Sequence, residues 1–131
     1  MSRKRKILVV DDDATYRQLF TFQLTSAGYE VFIAHDGQEA LNWINQQRLD
    51  LILLDLLMPR MSGIEVLQRI KALDCKTPVM LVSGAEWPIA RQGVELGEPS
   101  GFLTKPFTME DLLAKVKMLL LPVSDIETTS R

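Results

Sequence analysis

Leu51-Ile52-Leu53-Leu54-Asp55 sets four aliphatic residues in a row with no polar break and ends them on a carboxylate. A strand with one solvated face alternates apolar and polar residues, so an unbroken run argues for a strand buried on both faces, as in a parallel sheet flanked by helices. Open sheets of that kind place their chemistry at the carboxyl ends of the strands. Two other apolar runs end in the same way, Ile7 to Val10 in Asp11-Asp12-Asp13 and Val79 to Val82 in Ser83, and a shorter one, Phe102-Leu103-Thr104, ends in Lys105. Carboxylates, a hydroxyl and an ammonium group would then meet on one edge.

The segments between these runs read as helices. Asp13 caps a helix with Tyr16, Leu19, Phe20, Leu24 and Ala27 on one face, and Gly28 ends it. Glu30 to Ala34 gives a short strand, after which Asp36 and Glu39 make a capping-box-like start to a helix carrying Ala40, Leu41 and Ile44 inward. Ser62 and Glu65 cap a third helix with Ile64, Leu67 and Ile70 apolar. A helix over 86–98 is the weakest, since it contains Pro88, Gly93 and Gly97, and each internal glycine costs about 1 kcal/mol relative to alanine. Thr108 and Asp111 open a last helix with Leu112, Leu113, Val116, Leu119 and Leu120 as a wide apolar stripe, ended by Pro122. Five strands alternating with five helices predict an α/β, flavodoxin-like (βα)5 doubly wound parallel sheet with strand order 2-1-3-4-5. Strands one, three, four and five are consecutive neighbours in that order.

Composition bounds the function classes. A chain of 131 residues with 47% hydrophobic and 24% charged residues suits one domain, and its formal net charge of −2 gives no general attraction to nucleic acid or anionic lipid. The one basic cluster, Arg3-Lys4-Arg5-Lys6, reads as a solvated leader, because the apolar run after it is too short for a signal peptide. No run reaches membrane-spanning length, so no membrane partner is expected. Cys75 is the only cysteine and has no intrachain disulfide partner, which points to a reducing cytoplasm.

Asp11, Asp12 and Asp55 would crowd three carboxylates into one pocket, and two unit charges about 5 Å apart repel by roughly 3 kcal/mol at an effective dielectric near 20. A hard divalent cation removes that liability, and oxygen-only ligands suit Mg²⁺ or Mn²⁺ rather than zinc. One carboxylate would then be free to act as a nucleophile toward a phosphoryl group, with Lys105 neutralising oxygens and Ser83 donating a hydrogen bond. For Asp13 the helix cap suffices as an explanation. For the pair Asp11 and Asp12 it does not, because a second charge only adds repulsion.

Together, Ile7-Leu8-Val9-Val10-Asp11-Asp12, Leu53-Leu54-Asp55 with Met58-Pro59 and Gly63, Val82-Ser83-Gly84, and Phe102-Leu103-Thr104-Lys105-Pro106-Phe107 resemble the receiver domain of two-component response regulators. The motifs come in that family's order over nearly the whole chain, which sets the expected domain at 4–121 and leaves 122–131 as a tail or the start of a linker. The resemblance implies that Asp55 accepts a phosphoryl group from a sensor histidine kinase or a phosphotransfer protein. It implies that Asp12 and the Leu57 backbone carbonyl bind Mg²⁺ with Asp55, while Asp11 acts through a bound water. It makes Ser83 and Lys105 the phosphoryl-binding groups, Ser83 and Phe102 the switch residues, and the peptide before Pro106 cis. The softness of segment 86–98 places the signalling face on that helix, the Phe102 strand and the last helix, where an output domain or protein would be addressed and which would also suit a homodimer. Such a chain is a switch with at most self-catalysed phosphorylation and dephosphorylation, not an enzyme with a separate substrate.

Departures from the family pattern carry their own expectations. Ser83 stands where threonine is more usual and keeps the hydroxyl. Leu57 and Ala85 cannot position a water, which predicts a long-lived phospho-form. Gly97 comes one place early, and Trp87 suits either a partner contact or packing over its helix. The chief rival is a phosphatase of the haloacid-dehalogenase type using Asp11 and Asp13, which lacks an acidic pair after the lysine and leaves Asp55 idle. A flavodoxin-type flavin carrier would need a phosphate-cradling loop where Asp11 to Asp13 stand. A degenerate receiver used only for binding is disfavoured because every chemical position is filled.

Overall fold

The computed structural model describes residues 3–56, 58, 62–73, 76–84 and 100–120. The apolar runs form β1 (Lys6–Val10), β2 (Glu30–Ala34), β3 (Leu51–Asp55), β4 (Val79–Ser83) and β5 (Gly101–Thr104), with β4 and β5 each a residue longer than the sequence suggested. All pairings are parallel, and the order is β2-β1-β3-β4-β5, as expected. The register sets Val10 beside Leu54, Asp55 beside Val82 and Ser83 beside Thr104. Asp11, Asp55, Ser83 and Lys105 therefore leave the sheet at four consecutive strand ends.

Between the strands run α1 (Ala14–Ser26), α2 (Gly37–Gln46) and α3 (Gly63–Ala72), and α4 (Met109–Leu119) follows β5. Side chains satisfy the first free amides of each: Asp13 accepts from Thr15 and Tyr16, Asp36 from Glu39, Ser62 from Glu65, and Thr108 from Asp111. The box before α2 closes one residue early, since Glu39 Oε1 accepts from the His35 amide at 2.7 Å instead of reaching Asp36. Gly28 ends α1 at φ +99, a left-handed conformation that glycine adopts at no steric cost. The helix expected over 86–98, with Pro88, Gly93 and Gly97, lies outside the described residues, as do Cys75 and Trp87.

Alternation along the strands sorts the core into two layers. Ile7, Val9, Leu51, Leu53, Met80 and Val82 face α1 and α4 through Phe20, Leu24, Leu112 and Val116. Leu8, Val10, Ile52, Leu54, Val79 and Leu81 face α2 and α3 through Ala40, Leu41, Val66, Leu67 and Ile70. β3 is buried from Leu51 through Asp55, as its unbroken run requires.

Two expectations need correction. Leu19 is 37% exposed and Ala27 is exposed as well, so the buried stripe of α1 narrows to Phe20 and Leu24, one turn apart. The basic cluster is anchored rather than a free leader: Arg3 forks onto Asp50 at 2.9 and 3.0 Å, the Lys6 amide donates to Asp50 at 2.7 Å, and Lys6 opens β1.

At the sheet edge, the Glu30 amide and the Ala34 carbonyl bond toward β1, which turns the Ile33 carbonyl to the outer side of β2. The Trp43 indole from α2 donates to that carbonyl at 2.9 Å, and its ring meets Phe32 edge-on at 5.0 Å.

Candidate functional site

Asp11 follows the last residue of β1 and is 1% exposed. Its amide donates to the Ala34 carbonyl at 3.1 Å, and its own carbonyl accepts from Arg17 Nη1 at 2.8 Å. Both carboxylate oxygens are engaged as well. Oδ1 accepts from the Asp13 amide at 2.9 Å, and Oδ2 accepts from Lys105 Nζ at 2.9 Å. Asp12, the next residue, is exposed. Asp13 spends Oδ1 on the amides of Thr15 and Tyr16, so it is the cap that its position suggested.

Asp55 closes β3, is 6% exposed, and places Oδ2 3.9 Å from Lys105 Nζ. One ligand atom each from Asp11, Asp12 and Asp55 lies within 4.8 Å of the others. Gathering three carboxylates this closely, two of them buried, with one ammonium beside them, leaves an excess of negative charge that a small hard cation would offset. Cysteine and histidine are absent from that cluster. An all-oxygen donor set of this kind fits Mg²⁺ and does not fit zinc.

Asp55 is held in place by close packing behind it. A Cβ added at Gly63 would collide with the Asp55 carbonyl oxygen and approach the Leu56 Cα to 2.7 Å, so only glycine lets α3 start this near the end of β3. The Gly63 amide donates to the Leu56 carbonyl at 2.8 Å, tying the helix start to the strand end across the loop.

Ser83, the last residue of β4, is 1% exposed, and its Oγ has no hydrogen-bond partner among the described residues. A buried hydroxyl left unsatisfied costs about 1–3 kcal/mol, a cost that marks a position kept for something other than packing. Its carbonyl accepts from the Lys105 amide at 2.6 Å, fixing the end of β5 against β4. The Lys105–Pro106 peptide is cis, as the resemblance implied. Phe102, in β5, packs partly buried on the α2–α3 side of the sheet, and its carbonyl accepts from Lys115 Nζ at 2.7 Å. Leu57 and Ala85 lie outside the described residues.

The structure thus brings Asp11, Asp12, Asp55 and Lys105 together, with Ser83 at the neighbouring strand end. Two neighbours were not singled out as site residues from the sequence. Arg17 holds the Asp11 peptide from α1, and Tyr16, taken as a core residue, sets its ring centroid 3.9 Å from Lys105 Nζ. The available signal was their place in the first turns of a helix that starts beside the acids.

A parallel sheet of this order, with an acid cluster, a hydroxyl and a lysine along its carboxyl edge, defines a signalling domain of the receiver class. Residues 7–117 match the family described as the response regulator receiver domain. The chain is 38% identical over 116 residues to the response regulator MprA of Mycobacterium avium, a match that covers 88% of this chain and 50% of that protein. It therefore spans about half the length of the curated relatives it matches. Among solved structures it is similar to the chemotaxis protein CheY4 of Vibrio cholerae, with TM-score 0.83 and 36% identity, covering 90% of this chain and all of that one. It is also similar to the response regulator TrrA of Thermotoga maritima in complex with Mg²⁺ and BeF, with TM-score 0.79 and 33% identity over 88% of this chain and 99% of that one. The chain belongs to the response regulator receiver domain family. Its function is that of a phosphorylation-dependent signalling switch. None of these relatives points to a phosphatase of the haloacid-dehalogenase type.

Proposed function

We propose that Asp55 is the phosphoacceptor and that the site around it works with Mg²⁺. The observation that carries this reading is the buried Asp55 carboxylate, at the end of a fully buried strand and 3.9 Å from Lys105 Nζ. An Asp55 oxygen attacks phosphorus, forming an acyl phosphate, while the bond from phosphorus to the donor breaks and its electron pair leaves with the donor. Mg²⁺, when bound, neutralises charge on the entering carboxylate and the transferred oxygens.

The residues divide the remaining work. Asp12 is the exposed acid, open to direct ligation together with Asp55 and the Leu57 backbone carbonyl. Asp11 has both oxygens already accepting hydrogen bonds, which favours action through a water. Lys105 moves from its 2.9 Å contact with Asp11 toward a phosphoryl oxygen, and the Ser83 hydroxyl donates to another. Drawing in Ser83 pulls on the loop after β4, and Phe102 changes rotamer with it, a population shift between two arrangements of the signalling face.

Residues 4–121 form the receiver unit, and 122–131 are a tail or the start of a linker; the signal passes to an output domain or protein. The donor is a histidine kinase or a phosphotransfer protein, and the chain acts in the cytoplasm with no separate enzymatic substrate. No helix of the described residues is long and apolar enough to cross a membrane. Incubation with acetyl phosphate and Mg²⁺ should add the mass of one phosphoryl group, and Asp55→Ala should abolish the gain. A gain that survives the substitution would overturn the assignment.

A further inference from the structure

The ammonium of Lys105 has a third neighbour besides its two carboxylates. Nζ lies 2.9 Å from Asp11 Oδ2, 3.9 Å from Asp55 Oδ2, and 3.9 Å from the centroid of the Tyr16 ring. The lysine side chain is only 16% exposed, so water does little to weaken that last contact. The ring is itself fixed. It packs against Phe107 at 5.9 Å and Phe20 at 6.3 Å, and those two rings stack on one another at 5.1 Å. Its backbone is set by the Asp13 cap at the start of α1. Phe107 follows Lys105 by two residues, so one aromatic cluster joins the first turns of α1 to the segment that carries the lysine.

We propose that Tyr16 is a positioning residue for Lys105, its ring face holding the ammonium between Asp11 and Asp55. The ammonium hydrogen-bonds the nearer anion, Asp11, and the ring keeps it within 3.9 Å of Asp55 as well. The aromatic face attracts the cation without competing for a particular N–H direction, and the attraction reaches to about 6 Å from the ring centre. The ammonium is thus free to slide from Asp11 toward a phosphoryl oxygen on Asp55 while keeping its contact with the ring. A leucine would keep the position apolar but present no ring face, leaving the four-carbon stem free to choose other rotamers.

This inference rests on Asp55 being the phosphoacceptor, and its first test does not. In the unmodified protein, the ε-methylene protons of Lys105 should resonate upfield of ordinary lysine values because of the ring current, and equally so in Tyr16→Phe. The shift should vanish in Tyr16→Leu or, if that variant unfolds, in Tyr16→Met. An ordinary shift in the unsubstituted protein would overturn the proposal whether or not Asp55 is phosphorylated. With acetyl phosphate and saturating Mg²⁺, Tyr16→Leu should label about tenfold more slowly, with Mg²⁺ affinity unchanged. Tyr16→Phe should restore the rate. Equal rates for all variants, a loss of Mg²⁺ affinity matching the loss of rate, or a defect in Tyr16→Phe as large as in Tyr16→Leu would each sink the idea. Absence of any labelling in the unsubstituted protein would instead fall on the phosphoacceptor assignment.

Discussion

Gly63 and Gly28 show how differently two glycines of one chain constrain it. At Gly63 an added Cβ meets backbone, the Asp55 carbonyl oxygen and the Leu56 Cα, and neither yields without moving the end of β3 or the start of α3. At Gly28 nothing lies within 4 Å, and only the positive φ opposes a side chain. Gly63→Ala should therefore lower stability by about 1–3 kcal/mol and slow acetyl-phosphate labelling of Asp55, since the displaced backbone is its own. Gly28→Ala should cost about 1 kcal/mol and leave labelling alone. Denaturant unfolding of both variants beside a labelling time course separates the two effects. The acids, Ser83 and Lys105 were legible in the sequence because each ends an apolar run, and a parallel sheet gathers such ends. Tyr16 was not. Its chemistry comes from a contact with a residue far along the chain, and at helical spacing an aromatic side chain reads as core.

β1, β3 and β4 were legible almost to the residue because burial on both faces leaves an unbroken apolar run, while α1 misled at Leu19 and Ala27 because a helix lying against the sheet margin buries a narrower stripe than its apolar positions suggest. The basic leader misled for another reason. A charge run has no periodicity, and only the fold brings Asp50, just before β3, beside Arg3 and the start of β1. Burial works to raise the pKa of the Asp50 carboxyl, but the hydrogen bonds from Arg3 and the Lys6 amide, with the Arg3 charge, outweigh it and hold the group below its ordinary 3.8. A carboxyl depressed in the folded state stabilises the fold above its unfolded pKa, and that contribution is lost as pH falls through the depressed value. Unfolding measured at neutral pH should show Asp50→Asn less stable than the unsubstituted chain. The difference should shrink once the pH drops below 3.8, and a gap that stays constant into acid would contradict the linkage.

Over the whole molecule, the sheet divides the core into two layers that share backbone but few side-chain contacts, Phe20 lying in one and Ile70 in the other. Phe20→Leu and Ile70→Val should each destabilise by about 1 kcal/mol or more, and the double variant should equal the sum within about 0.5 kcal/mol. A larger discrepancy in a double-mutant cycle would mean that the layers respond to one another through the strands. The sheet also has to stop somewhere. β2 ends it on one side with a row of backbone groups, and there the Trp43 indole occupies the Ile33 carbonyl that the next strand would use. One side chain from α2 thus bears on whether concentrated solutions of this protein hold separate molecules or stacks of them, a matter of shelf life and crowding that has nothing to do with phosphorylation.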